Sequence, residues 1–406
     1  MKLNKTIQIK LMNETDKSEF YEALTIVSKD IIENIDPLYY HDYHFDEYIK
    51  EEIFKHFEQN VLYDEIEILY DSLIDLVFIE NNLTKRSYLK SDERFDISRD
   101  NEVQIQYLKN IPQPAQKTPE WYVFRKKHFT GSNIWKLFST ESAKRQLIYE
   151  KLAPSSQKTN YNSLSEGPLN WGHKYEPLSI MFYEHFNDVS VEEFGCVPHK
   201  SIPFLAASPD GIVTSKKYNG RMVEIKNVVS REITGIPKME YYIQMQLQME
   251  VCDLYECDFI ETKFLEYENE KEFYQDKENV KKGMIMVFVK NNESFVYEYC
   301  PLFHTRESQI NEFIEMTYKK YNIDDPQIEV NHIRWFRNVY WKLDLYSCVY
   351  VPRNKLWFKR SYPVMEETWS LIEKEQKEEN SYLKYKGKTN TKNANTPKPN
   401  PNIVIL

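Results

Sequence analysis

The chain has 406 residues, with 53 Lys/Arg against 63 Asp/Glu, a formal net charge of −10 and a pI near 5.6. That balance argues against a general polyanion binder, whose affinity comes from diffuse positive potential. No run approaches the roughly 18 consecutive apolar residues of a membrane span, and five scattered cysteines without a CxxC pair (Cys196, Cys252, Cys257, Cys300, Cys348) exclude a disulfide framework and speak against zinc or an iron–sulfur cluster.

The acid is concentrated at one end, because residues 1–110 hold 13 Lys/Arg and 24 Asp/Glu while the remainder is near neutral. Helical periodicity over Ser18–Val27, Tyr48–Phe57 and Glu65–Ile79 makes residues 1–112 an acidic helical domain, either a docking unit or a solvated bundle. Pro112, Pro114 and Pro119 then mark residues 113–119 as a stiff polar linker.

Thr118 and Pro119 open a helix whose last turn carries Arg125, Lys126, Lys127 and His128. Thr130-Gly131-Ser132 follows at the start of a second helix, so backbone N–H groups lie beside those bases. Between Thr118 and Arg145 there are six Lys/Arg against two Asp/Glu, which suits a phosphate clamp and equally a solvated basic face. Asn170 opens a further helical pattern, and Pro177, tolerable in a first turn, predicts that Glu176 sits near that helix's start.

Residues 203–226 read as a hairpin with Asp210 after Pro209 in its turn and Glu224 and Lys226 on the returning strand. Alternation places Glu224 and Lys226 on one face and Val223 and Ile225 on the other. Acids that hold hard cations, beside an amine that orients water, are what metal-dependent phosphodiester cleavage requires, although an exposed hairpin fits the same pattern. In the helix after Pro237, Tyr241, Gln244 and Gln248 share one face at i, i+3 and i+7. Strands are expected over Cys257–Phe264, Gly283–Val289 and Phe295–Cys300, and a helix over Ser308–Tyr321. Residues 334–360 interleave aromatics with seven Lys/Arg against one acid, which suits strand stacking by residues such as Arg337 or a plain core. Residues 374–406 form a polar, Lys/Glu- then Asn/Thr/Pro-rich tail expected to be disordered.

The order E…PD…ExK…YxxQ over residues 176–244 resembles the PD-(D/E)xK nucleases, and within them the phage lambda exonuclease and YqaJ viral recombinase family. The likeness extends to Trp121–Ser132 and Ser230-Arg231 and covers roughly residues 118–265. It implies an α/β (α+β) fold, a mixed central sheet flanked by helices, as a nuclease domain over residues 120–373. It also implies Asp210, Glu224 and the Ile225 carbonyl as ligands of two Mg²⁺ or Mn²⁺ ions, with Glu176 completing the site. Lys226 would position water, held by Gln244 and Tyr241. Arg125, Thr130, Ser132 and Arg231 would grip a 5′ phosphate, with weaker DNA contacts from Lys126, Lys127, Gln248 and Arg337. The activity so implied is 5′→3′ degradation of one strand at double-stranded DNA ends, supplying single strands to an annealing protein. A ring-shaped trimer follows too, against an N-terminal unit that such a ring must accommodate. A protein of this kind from a large DNA virus would act in the reducing host cytoplasm or travel in the virion. An endonuclease of the same fold and a non-catalytic DNA-end-binding protein remain alternative readings.

Overall fold

The computed structural model describes residues 14–34, 52, 55, 101–154, 167–291, 294–323, 330 and 332–386. The helix predicted around Ser18–Val27 is present as α1 (Glu14–Asn34). The helix predicted over Glu65–Ile79 and the last twenty residues lie outside the described residues, as does most of Tyr48–Phe57.

The chain is a mixed α/β structure. Seven strands form the main sheet in the order β2 (Val191–Glu192), β5 (Gly211–Val213), β6 (Met222–Asn227), β7 (Glu256–Glu266), β10 (Ile333–Pro352), β8 (Lys282–Lys290) and β9 (Ser294–Tyr299). Only β6 and β7 run parallel, with Glu224 opposite Phe259 and Lys226 opposite Glu261. The other neighbours are antiparallel. A smaller sheet joins β1 (Phe129–Thr130) to β4 (Leu205–Ala207) in parallel and β4 to β3 (Val197–Pro198) antiparallel.

Strands β7 and β8 are covered on both faces: β8 reads as a nearly continuous apolar run, whereas β7 is buried along most of its length although it carries Asp258, Glu261 and Thr262. Phe259 packs with Met245, Leu247 and Met249 of α7 (Met239–Cys252), whereas its neighbour Ile260 packs on the opposite face with Tyr183 of α6 (Pro168–Asn187). The period of two carries this division to β6, where Met222 joins the α7 cluster while Val223 and Ile225 join the α6 cluster. Glu224 and Lys226 therefore share the α7 side of the sheet. Farther along, Tyr175, Leu178 and Phe182 of α6 pack on Phe264 and Trp341, and α9 (Glu307–Tyr321) covers the other face of β8 through Ile310.

Three expectations are corrected. Residues 113–119, read as a linker, lie along the body, as does α2 (Glu102–Asn110) before them, which buries Ile105 and Leu108 in the α7 core. Gly195 and Cys196 donate backbone N–H bonds to Gln113 Oε1 and Pro114 O, and Gln116 donates to Phe194 O and Pro209 O. The polar side chains that suggested a linker serve backbone groups that would otherwise be unpaired. Secondly, the tail is structured as far as residue 386, since α10 (Lys355–Glu375) is followed by a 3₁₀ turn over Ser381–Tyr385. Lys384 pairs there with Glu375 at 2.8 Å, and Arg145 donates to Lys384 O. Thirdly, Pro177 lies inside α6 rather than in its first turn, because Pro168 opens the helix more than two turns earlier. The added turns are secured by packing of Trp171 and Tyr175, and by Asn227, which donates to Gly172 O at 3.1 Å.

Gly211 follows Asp210 at the entry to β5, where a Cβ would lie 2.3 Å from Val191 Cγ1 and 3.1 Å from Val223 Cγ2. Both neighbours are β-branched and stiff. Gly211→Ala should cost about 1–3 kcal/mol of stability through overpacking. Thermal denaturation checks this; an unchanged Tm would show that β5 can move aside.

Candidate active site

β6 delivers a carboxylate and an amine to one place. Glu224 is fully buried, and its Oε1 accepts from the Lys226 ammonium. Its Oε2 accepts from Gln248 Nε2 at 2.8 Å, and the same amide nitrogen lies 3.2 Å from Ser208 O. Contrary to expectation Asp210 is not in the hairpin's turn, which lies between β5 and β6; it precedes β5, where its Oδ2 accepts from the Ile225 backbone N–H at 2.8 Å. A carboxylate ahead of β5 is thereby tied to the residue between Glu224 and Lys226.

Glu176 reaches the same electrostatic neighbourhood from α6 and stands 3.7 Å from Lys117. Burial raises the pKa of Asp210 well above the carboxylate range, and the Glu224 and Glu176 charges raise it further. Burial likewise raises Glu176, with Lys117 opposing and Glu193 and Glu224 adding. Burial pulls the Lys226 amine down, but Glu224 and Asp210 outweigh it, so the group stays firmly charged. Its ammonium also sits 4.9 Å from the centroid of the Tyr241 ring, a cation–π contact from α7.

These are oxygen donors of the kind hard divalent cations take, and their mutual repulsion is what such a cation relieves. Among the described residues, however, no three His, Cys, Asp or Glu side chains stand close enough to enclose an ion together. Glu224 is held instead by Lys226 and Gln248. The donor chemistry fits a divalent cation, and the side chains of Glu224 and Lys226 would have to separate to admit one.

A second cluster lies against α7. Thr118 caps α3 (Pro119–Lys126) by accepting from Trp121 N, and Arg125 in the last turn stacks its guanidinium 4.0 Å from the Trp121 ring. Arg125 donates to the hydroxyl of exposed Ser132, which belongs to the short α4 (Gly131–Ile134). Thr130 forms a capping box with Asn133 and lies 3.5 Å from Ser132. A Cβ on Gly131 would stand 2.9 Å from Gln244 Cγ and 3.2 Å from Gln244 O, so only glycine lets α4 approach α7 this closely. Arg125, Thr130 and Ser132 are thus seated beside Gln244, one turn along α7 from Tyr241.

Other residues singled out from the sequence stand elsewhere. Arg231 pairs with Glu261, the neighbour of Lys226 across the β6–β7 ladder, and lies 5.7 Å from the Tyr241 ring. Gln248 is 1% exposed and turned to Glu224, which makes it an inward support of the acid pocket instead of a DNA contact. Lys126 donates to Ala153 O, whereas Lys127 is exposed at the end of α3. Arg337 lines a cavity of about 110 Å³ with Trp171, Lys174, Glu266 and Tyr297. Trp341 and Trp357 are completely buried, so these aromatics of residues 334–360 are core and offer no face to a base. Sequence reasoning missed Gln248 as the partner of Glu224. The signal was available, since i, i+7 spacing from Tyr241 stacks it over the same face.

The arrangement defines a mixed α/β chain with a buried carboxylate–lysine pocket and an Arg–Ser cluster joined by one helix. Residues 120–255 match the YqaJ-like viral recombinase domain. Uncharacterized protein R354 of Acanthamoeba polyphaga mimivirus is 27% identical over 320 residues, 70% of this chain and 55% of that protein. The chain therefore spans about half the length of this curated relative. Among solved structures, the alkaline exonuclease LHK-Exo from Laribacter hongkongensis aligns at a TM-score of 0.37 and 18% identity, over 66% of this chain and 96% of that one. LHK-Exo in complex with dAMP aligns at 0.29 and 21%, over 50% and 94%.

The raised pKa of Asp210 carries a stability consequence. A carboxyl that keeps its proton longer in the folded state loses stabilising effect as pH rises from the ordinary Asp value of about 4 through the folded value. Asp210→Asn retains an oxygen for the Ile225 N–H and removes the charge. In chelator, the variant should melt a few degrees above the parent at neutral pH, with the gap closing in acid. A gap that widens towards acid would reverse the assignment.

Proposed function

We propose that the protein is a divalent-cation-dependent deoxyribonuclease with a PD-(D/E)xK core that degrades one strand of duplex DNA from 5′-phosphorylated ends. The observation that carries this reading is the convergence of Asp210, Glu224 and Lys226 beside α7, within the recombinase-domain match and next to the Arg125–Ser132 cluster. The product is a 3′ single strand suited to annealing-dependent recombination, and a single-strand annealing protein is its natural partner.

Asp210 and Glu224 would hold Mg²⁺ or Mn²⁺ with the Ile225 carbonyl, and Glu176 would complete the donor set. Bound there, the cation lowers the pKa of a water and stabilises charge on the scissile phosphate. The chain's own residues do the rest. Gln248 holds Glu224 from behind and keeps its carboxylate aimed into the pocket. Tyr241 confines the Lys226 ammonium, which stays protonated and is suited to orient a water or to steady phosphate charge. Arg125 and Ser132 offer a guanidinium and a hydroxyl to a terminal phosphate, a pairing favoured by fork geometry and charge. Thr130 shapes that corner through its capping box. Arg231 stands beside Lys226 and serves the same end if it leaves Glu261.

Lys226→Ala should lower turnover on linear duplex about a hundredfold or more, the order seen when a preorganised charge is lost. Unchanged turnover in a gel-based digestion with Mg²⁺ would remove the lysine from the mechanism. Linear duplex should be degraded and closed-circular duplex spared, with both untouched in chelator; cutting of circles would make the protein an endonuclease. Arg125→Ala should abolish preference for 5′-phosphoryl over 5′-hydroxyl ends while leaving folding intact, as read by initial rates on the two substrates.

A further inference from the structure

Beneath the Arg125–Ser132 cluster lies a lysine that the mechanism above does not use. Lys151, in the last turn of α5 (Glu141–Leu152), is only 6% exposed. Its ammonium donates to Arg125 O at 2.8 Å and to His128 O at 2.5 Å. One carbonyl is in the last turn of α3 and the other two residues past its end, where a cation is favoured by the helix dipole. The tie is reciprocal, since Lys126 of α3 donates to Ala153 O at the end of α5. Two helices are thus locked end to end by lysine–carbonyl bonds, and the backbone that carries Arg125 is held by one of them.

The charge balance is unusual. Among the described residues no carboxylate pairs with Lys151; Glu150, its neighbour on α5, is bound by Lys136 at 2.7 Å. The groups facing Lys151 are the Arg125 guanidinium, Glu150 with Lys136 behind it, the His128 ring at the end of α3 and the Cys196 thiol from the loop before β3. Burial lowers the amine to about 7, and Arg125 adds to the fall while Glu150 opposes it. Buried cations are ordinarily paired with an acid, because desolvation otherwise drives off the proton. The residue whose carbonyl Lys151 holds, Arg125, is the one whose guanidinium donates to exposed Ser132.

We propose that Lys151 is a positioning residue for the terminal phosphate: its ammonium fixes the last turn of α3 so that Arg125 reaches Ser132, and it adds buried positive charge that a bound phosphate neutralises. This rests on the 5′-phosphate reading above and deepens it. Lys151 touches carbonyls and acts on the phosphate through Arg125 and through its field.

The test uses the full chain with Mg²⁺ and two duplexes that differ only in a 5′-phosphoryl or 5′-hydroxyl end. Lys151→Met should raise KM for the phosphorylated duplex about tenfold, the order expected for one partly buried charge. Its kcat and its use of the hydroxyl duplex should stay as in the parent. Lys151→Arg should restore most of the loss. In the parent, KM for the phosphorylated end should climb above about pH 7 as the free enzyme's lysine loses its proton. The phosphate's own second ionisation, near pH 6, would change KM the other way. Lys151→Arg should flatten that climb, which a merely structural role would not do. If Lys151→Met does not fold, the two pH profiles decide. Phosphate preference kept in a folded Lys151→Met, equal loss on both ends, or a climb unchanged in Lys151→Arg overturns the inference. A parent that uses both ends equally overturns the 5′-phosphate reading and this inference with it.

Discussion

Glu224 is a buried carboxylate that the fold can keep only because Lys226 and Gln248 satisfy both of its oxygens. An uncompensated charge at that depth is costly enough to be neutralised by proton uptake. Here one partner comes from two residues along the same strand and the other from a helix packed across the sheet face. The contact therefore fixes the height of α7 above β6 as well as the state of the acid. Asp210 is drawn into the same knot by the Ile225 N–H, although two neighbouring acids push against its charge. The pocket stores repulsion that a hard cation is suited to release.

Helix α7 is the part that joins this pocket to its surroundings. Its inner residues Met245, Leu247 and Met249 are core, and Gln246 accepts from Asn354 N at the foot of α10. The stripe Tyr241, Gln244 and Gln248 runs along one flank, from the Lys226 ammonium, past the Gly131 corner, to the Glu224 carboxylate. Because Gly131 lacks a side chain, α4 rests directly on this stripe, so the Arg125–Ser132 cluster and the acid pocket share one rigid support. Rigid elements hold such groups more accurately than loops do.

The flanks of the molecule follow the same economy of polar groups. Gln113 and Pro114 accept from the backbone of the loop before β3 and Gln116 donates to it, which binds residues 113–119 to the body despite their linker-like composition. Trp341 packs against Phe182 and Phe264 in edge-to-face contacts, which removes it from any role in stacking on bases. Arg221 is buried with Glu256, Asp258 and the Tyr218 and Tyr350 rings, a paired cation inside the sheet.

Much of the site was legible from short-range rules. Period-two alternation put Glu224 with Lys226 and Val223 with Ile225, helical spacing aligned Tyr241, Gln244 and Gln248, and Thr118 with Pro119 announced the helix that carries Arg125. The strands β7, β8 and β9 were visible from their β-branched and aromatic residues, with β8 alone a nearly continuous apolar run. What sequence alone did not decide were matters of partner and depth. Pro177 looked like a helix start because its ring removes a donor, yet packing of Trp171 and Tyr175 sustains the turns before it. Gln248 was expected to touch DNA, yet the approach of β6 buries it on Glu224, and α3 closes over Lys151, which no local pattern singles out. Local pattern determines which residues share a face, because it depends on backbone geometry alone. Which face is buried, and against which charge, depends on contacts between segments as far as 239 residues apart, such as Arg145 on Lys384, and only the folded chain settles those.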